Sequence, residues 1–252
     1  MITVLIKNSI NNNGLGNTLF MLAAGEAMAL RDGKQMVSTE PPGYETYRNN
    51  ILRNIKLTYS VQYDTYREPS FEYNEIPYSD NSISLDGFFQ SEKYFNDYSE
   101  FILDLFSPTP EIERYIDRAY GDIFDNSVSI HVRRGDYLNY PDIHPVCEMD
   151  YYKSALANFS DCKRFIVFSD DIAWCKDNFS EDFHFIEGER DFIDLYMMAK
   201  CTNNIIANST FSWWGAWLNR NENKKVIAPK IWFGKDKKLN TKDLIPKEWR
   251  LI

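Results

Sequence analysis

His131, Arg133, Arg134 and Asp136 crowd into the segment HVRRGD, the densest group of chemically capable side chains in the sequence. Two adjacent guanidiniums suit a bidentate, always-charged grip on phosphate oxygens. The same spacing suits two surface arginines bridged to carboxylates, and the residues alone do not separate these readings. RGD is also an adhesion tripeptide, but that role fits an exposed loop of a secreted protein, and nothing else here does.

Such groups need an element to position them. Val128, Ile130 and Val132 alternate with Ser129, His131 and Arg133. That is the period-two pattern of a strand. It predicts one apolar face on a core and another carrying imidazole and guanidinium to the strand's carboxyl end, where Arg134, Gly135 and Asp136 turn.

Other segments could share that work. FSDD at 168–171 predicts Ser169 as a helix N-cap, with Asp170 and Asp171 in the first turn opposing the helix dipole. No Asp-x-Asp pair of the metal-binding kind occurs, and no metal site is expected. In NSTFSWWGAWL (208–218) a strand ends near Ala207 and a helix opens. Its first N–H groups, with the hydroxyls of Ser209, Thr210 and Ser212, form a ready anion site. Phe211, Trp214, Gly215 and Leu218 share a helical face and read as core, while Trp213 and Trp217 share another that suits core, or else a ligand wall. Asp194, set among Phe192, Ile193, Leu195 and Tyr196, must find donors or carry a perturbed pKa. A guanine base would supply two such donors side by side, and so would an arginine elsewhere in the fold.

The first half reads as a strand over 2–6, a glycine- and asparagine-rich turn over 11–17, and a helix over 18–30. Strand, glycine loop and helix can bring N–H groups to an anion or sugar, though this also describes an ordinary βα turn. A short strand follows at 35–38. Residues 40–80 show no sustained period, and a strand over 83–88 precedes helices over 94–106 and 111–124. From 128 onward strand and helix alternate, which specifies a parallel sheet with ligands beyond its carboxyl ends. Arg133–Asp136, Ser169–Asp171 and Asn208–Ser212 are thereby expected on one rim. The domain boundary is expected at 122–126.

The net charge of −9 over 252 residues argues against general nucleic-acid binding, so any anion must meet a local basic cluster. The four cysteines form no CxxC pair and the three histidines leave little for a metal centre. With no signal peptide and no apolar run long enough to span a bilayer, cytoplasm is the expected compartment, and peripheral membrane association stays open. The oligomeric state is not legible.

HVRRGDY (131–137), FSDD (168–171) followed by Trp174, and NSTFSWWGAWL (208–218) stand in the order and spacing of the α-1,2-fucosyltransferases, glycosyltransferase family 11. The chain resembles that family along almost its whole length. GLGN at 14–17 is similar to the family's N-terminal motif, usually GGLGNQ-[LM]-FQ, but Asn13, Thr18 and Met21 replace a glycine and two glutamines. The resemblance implies a GT-B-like α/β fold with two Rossmann-like domains, their parallel sheets flanked by helices: 1–122 on the acceptor side and 123–252 binding the GDP-sugar. It implies inverting, metal-independent transfer of fucose from GDP-fucose to the 2-hydroxyl of a terminal galactose on an oligosaccharide or polysaccharide precursor. No cofactor is implied beyond that donor substrate.

In the wider superfamily the arginine matching Arg133 contacts the β-phosphate, and the histidine matching His131 and an acid aligned with Asp194 hold guanine. The segment resembling 209–212 contacts the phosphates. Arg134, Asn208, Gly14, Gly16 and Asn17 are grouped with these donor-binding positions. Without a metal, charge developing on the departing diphosphate must be met by preorganised arginines and helix N–H groups. Asp142 is the expected base for the acceptor hydroxyl, with Asp136 as the alternative, although Asp136 also suits bracing the arginines. A transferase for another GDP-linked 6-deoxyhexose would keep the same nucleotide site. A non-catalytic glycan- or nucleotide-binding protein could also retain the fold.

Overall fold

A computed structural model describes residues 1–5, 14–59 and 63–252. The end of the first expected strand, at Ile6, and the start of the glycine loop, 11–13, lie outside the described residues. The chain forms two compact units, Met1–Ser107 with Leu239–Pro246, and Pro108–Lys238 with Lys247–Ile252. The division thus falls before the expected boundary at 122. The helix α4 (Pro110–Tyr120) belongs to the second unit, where the hydroxyls of Tyr115 and Tyr120 both donate to Glu189. The return of 239–246 to the first unit rests on Asp243, whose carboxylate accepts from the Tyr73 amide and pairs with Lys93. Side-chain contacts so distant in sequence leave no local pattern to read.

The first unit holds a four-stranded parallel sheet in the order β2-β1-β4-β3. Its strands are β1 (Ile2–Val4), β2 (Met36–Ser38), β3 (Asp64–Arg67) and β4 (Ile83–Asp86). Between β1 and β2 runs α1 (Leu15–Arg31), whose Leu19, Phe20, Leu22 and Ala23 are fully buried. α1 starts three residues earlier than expected, so Gly16 and Asn17 sit in its first turn rather than in a loop. Within the stretch 40–80, read as irregular, lie the one-turn helix α2 (Tyr44–Tyr47) and β3. The largely exposed DTYR of β3 suits a sheet edge and has no buried alternate positions to reveal it. The expected helix at 94–106 reduces to two 3-10 turns and α3 (Ser99–Leu105).

The second unit holds six parallel strands in the order β10-β9-β8-β5-β6-β7. They are β5 (Ser127–Val132), β6 (Arg164–Ser169), β7 (His184–Phe185), β8 (Asn203–Ile205), β9 (Val226–Ala228) and β10 (Arg250–Leu251). Four helices alternate with them: α5 (Met149–Leu156), α6 (Ile172–Asn178), α7 (Asp191–Lys200) and α8 (Thr210–Trp217). Read from β7, this is the doubly-wound Rossmann order, and the direction of winding reverses between β5 and β8. β10 was not expected, because two exposed residues carry no periodic signal.

β5 departs from the expected two-faced strand: all six of its residues are buried. Hydrogen-bonded strands flank it on both sides, and helices cover a sheet built from crossovers on both faces. Val128, Ile130 and Val132 enter the main core with Tyr152, Val167 and Ile205. On the other face Ser129 accepts a 2.7 Å hydrogen bond from the Asn204 amide, so its hydroxyl is satisfied rather than solvated. Among the described residues no helix is long and apolar enough to cross a membrane.

Candidate active site

The carboxyl ends of β5, β6 and β8 bring the expected segments together. Arg133 follows β5 and its guanidinium reaches Asp136 at 2.6 Å and Asp170, just past β6, at 3.0 Å. The other carboxylate oxygen of Asp170 accepts from the Arg134 backbone N–H at 2.9 Å. Gly135 allows this approach, since a Cβ there would stand 2.5 Å from the Asp170 carboxylate. From the same loop, Tyr137 donates its hydroxyl to the Asn208 carbonyl beyond β8, at 3.1 Å. Adjacency at the point where the winding reverses makes this rim the place where a doubly-wound sheet binds ligands.

The two arginines part company. The Arg134 guanidinium lies 4.0 Å from the centre of the Trp174 ring, pairs with Asp171 at 3.1 Å, and is only 14% exposed. It works as a strut between β5 and α6, whereas the sequence grouped it with the donor-binding positions. The Arg133 side chain is 34% exposed, and its two carboxylate bonds leave further N–H donors on the same guanidinium. The expected two-arginine fork is therefore one presented arginine on a carboxylate brace, with Tyr137's ring 5.4 Å below it.

Asp171, not Ser169, caps α6: its carboxylate accepts from the Trp174 N–H at 3.2 Å. Ser169 instead accepts from the Asp171 N–H, which fixes the turn.

At the third segment, Ser209 caps α8 and its hydroxyl accepts from the Phe211 N–H. Thr210 begins the helix and is partly exposed. Ser212 is fully buried and donates to the carbonyls of Ala207 and Ser209, which corrects its reading as a ligand hydroxyl. Asn208 is likewise turned inward. Its amide nitrogen donates to the carbonyls of Pro145 and Trp232 and its oxygen accepts from the Cys147 thiol. Helix periodicity locates these side chains near an anion site but cannot say which ones tie the surrounding loops. Trp213, Trp214 and Trp217 are core as expected, but Phe211 is not. Its partly exposed ring lies 5.6 Å from that of His131.

Among the described residues, buried atoms of two expected site groups, His131 and Asp194, lack hydrogen-bond partners, as does Nδ1 of His144. The Nδ1 atom of His131 has none, and burial, aided by the Arg133 charge, pushes the imidazole pKa down to about 3. Oδ1 of Asp194, in the first turn of α7, has none either. Burial, with Glu189 and Asp191 adding repulsion, raises that carboxyl to about 7. Among the described residues no lysine or arginine pairs with Asp194, so the structure does not supply the arginine that the sequence left open.

The two base candidates also differ. Asp136 is held on Arg133, while the exposed Asp142 pairs with Lys235 at 3.0 Å. His144 was missed at the sequence level. Its ring stacks on Tyr137 at 4.8 Å and meets Phe233 edge-on, and burial and then Lys237 lower its pKa. Only the folded loop shows that stack. Gly14, Gly16 and Asn17 belong to the first unit. Gly14 caps α1 in an extended conformation, and the Asn17 side-chain oxygen accepts from Gln90 at 2.9 Å.

Two all-parallel sheets flanked by helices, one in Rossmann order with an ionic clamp at its winding reversal, define a GT-B glycosyltransferase architecture. NodZ, an α-1,6-fucosyltransferase whose crystals were soaked with GDP-fucose, shares that fold at a TM-score of 0.53 and 16% identity over 86% of this chain and 92% of its own. The family described as glycosyl transferase family 11 matches residues 14–252, and the chain belongs to it. An α-1,2-colitosyltransferase of Escherichia coli is 31% identical over 94% of this chain and 95% of its own length. The O-antigen biosynthesis glycosyltransferase WbnK of the same species is 37% identical over 63% of this chain, which spans 58% of WbnK.

Proposed function

We propose that the protein transfers fucose from GDP-fucose to the 2-hydroxyl of a terminal galactose on an oligosaccharide or polysaccharide precursor, in the cytoplasm, with inversion and without a metal. The observation that carries this reading is Arg133, presented at the winding reversal on a brace of Asp136 and Asp170. A guanidinium so fixed costs no reorganisation when negative charge grows on the departing diphosphate. The opening N–H groups of α8 add partial positive charge. In this reading Thr210 and Ser209 line the phosphate site, while Arg134, Asn208 and Ser212 support it from behind.

The unpartnered His131 Nδ1 and Asp194 Oδ1 support a base-recognising role. A carboxylate without a cation suits the paired N–H donors of guanine, and burial makes its donor requirement strict. Asp136 is held by the partly buried Arg133, so the acceptor proton falls to Asp142, whose pair with Lys235 is solvent-exposed and weak. GDP-fucose is the sole small molecule the reaction requires besides the acceptor.

Incubation with GDP-fucose and N-acetyllactosamine should release GDP well above hydrolysis without acceptor. Failure to transfer to any of a broad acceptor panel, with GDP still bound, would instead favour a binding protein of this fold. The similarity to a colitosyltransferase along nearly the whole chain favours one second reading, transfer of another GDP-linked deoxyhexose. Faster turnover with such a donor than with GDP-fucose would establish it.

A further inference from the structure

The first unit carries a strained turn that the donor chemistry does not use. Gly87, Phe88, Phe89 and Gln90 leave the carboxyl end of β4. Phe89 has φ of 51°, making it one of two non-glycine residues with positive φ among those described. For a bulky aromatic residue this is a costly conformation, tolerated only where the surroundings enforce it. Glu68 enforces it here. Its carboxylate accepts from the Phe88 N–H at 2.8 Å and from the Phe89 N–H at 3.1 Å. Gly87 is required beneath, because a Cβ there would lie 2.4 Å from Glu68 Cβ. Burial raises the Glu68 pKa, so desolvation opposes holding this carboxylate as an anion.

The two phenylalanines are treated oppositely. Phe89 is wholly buried and meets Tyr94 edge-on at 5.2 Å, anchoring the turn. Phe88 is 44% exposed. Gln90 is buried and ties the turn to the start of α1 through Asn17. At the same strand ends, Asp86 and Arg67 pair at 3.3 Å with the Arg67 side chain 79% exposed. An exposed aromatic ring on a fixed turn at the carboxyl rim of a parallel sheet, with the Asp86–Arg67 pair at the same strand ends, matches a pyranose. A sugar's C–H face would stack on the ring and its hydroxyls would meet the carboxylate and guanidinium groups.

We propose that Phe88 is the stacking platform for the neutral hexopyranose of the acceptor, and that Glu68 is a positioning residue that fixes it through the strained turn. The inference rests on the transferase reading but can be tested without a donor. Saturation-transfer NMR of methyl β-galactoside with the intact protein should show transfer to the ring C–H protons. The affinity should fall on the order of tenfold in Phe88→Ala and hold in Phe88→Tyr. It should also fall in Glu68→Gln, where Phe88 is present but one of its turn's acceptors is gone. GDP binding by calorimetry should be unchanged in all three. Equal signals from wild type and Phe88→Ala would overturn the proposal. So would the absence of any signal from methyl β-galactoside, methyl β-glucoside and methyl α-mannoside. If the protein binds the galactoside but not GDP, the donor reading fails and the platform stands.

Discussion

The two units place unlike chemistry on the same kind of rim. In the second, Arg133 pairs with Asp136 and Asp170, Asp170 accepts from the Arg134 backbone N–H, and the Arg134 side chain pairs with Asp171, while the same unit holds an unpartnered imidazole nitrogen and an unpartnered carboxylate oxygen. In the first, the carboxyl end of β4 offers an exposed phenyl ring, held by a carboxylate that is itself consumed by backbone N–H groups. One rim presents a braced arginine, and on the other an exposed phenyl ring shares the strand ends with the Asp86–Arg67 pair. A parallel sheet fixes where a ligand binds, and the loops leaving it decide which kind.

The largest expected break in this division is Arg133→Ala. It should reduce transfer by about 10²–10³-fold, by analogy with loss of one oxyanion donor, against roughly tenfold for the exposed phenyl ring. Steady-state rates at saturating acceptor separate the two. Comparable losses from both substitutions would erase the distinction between the rims.

Gly135→Ala comes next. Its Cβ must displace Asp170 and with it the brace on Arg133. Overpacking of this kind costs about 1–3 kcal/mol, read as a lower melting temperature together with weaker GDP binding. The clamp's geometry would be unimportant if stability fell while GDP affinity held.

Asp194→Asn sharpens the charged side through pH. The folded carboxyl titrates near 7, above its ordinary value of 3.8. The folded state therefore binds the proton more tightly, and the stability this adds is full below about pH 3.8. It is lost as pH rises towards 7. The asparagine variant lacks that slope, so its melting temperature should gain on wild type between pH 5 and pH 8. Its preference for GDP over ADP should shrink. Parallel melting curves for the two proteins would show that Asp194 is not the titrating group.

The smallest effect is expected from Trp174→Leu, which removes the ring against Arg134. A stacked cation contributes about 0.5–1 kcal/mol at partly exposed sites. Urea unfolding should register that loss while GDP affinity stays close to wild type, because Arg134 is a strut. A large drop in GDP affinity would return Arg134 to the ligand.

Much of the second unit was legible because alternating strands and helices announce themselves by period. The convergence of the segments after β5, β6 and β8 followed from the parallel sheet alone. What spacing could not resolve was the direction of individual polar groups. Asn208 and Ser212 look like ligand groups in sequence, yet they bond to carbonyls that only the folded loops bring near. Arg133 and Arg134 are neighbours of one residue type, and burial against Trp174 is what separates them. The first unit was read less well, since β3 is exposed and Asp243 joins that unit from far along the chain.

In the proposed reaction a braced arginine and a helix's first turn, with no cation between, hold the diphosphate. Calorimetric titration of GDP into the protein in the presence of EDTA, repeated with Arg133→Ala, tests it most directly. Binding that EDTA leaves intact and the substitution abolishes is the predicted result. Binding that EDTA abolishes, or that Arg133→Ala leaves unchanged, would contradict it.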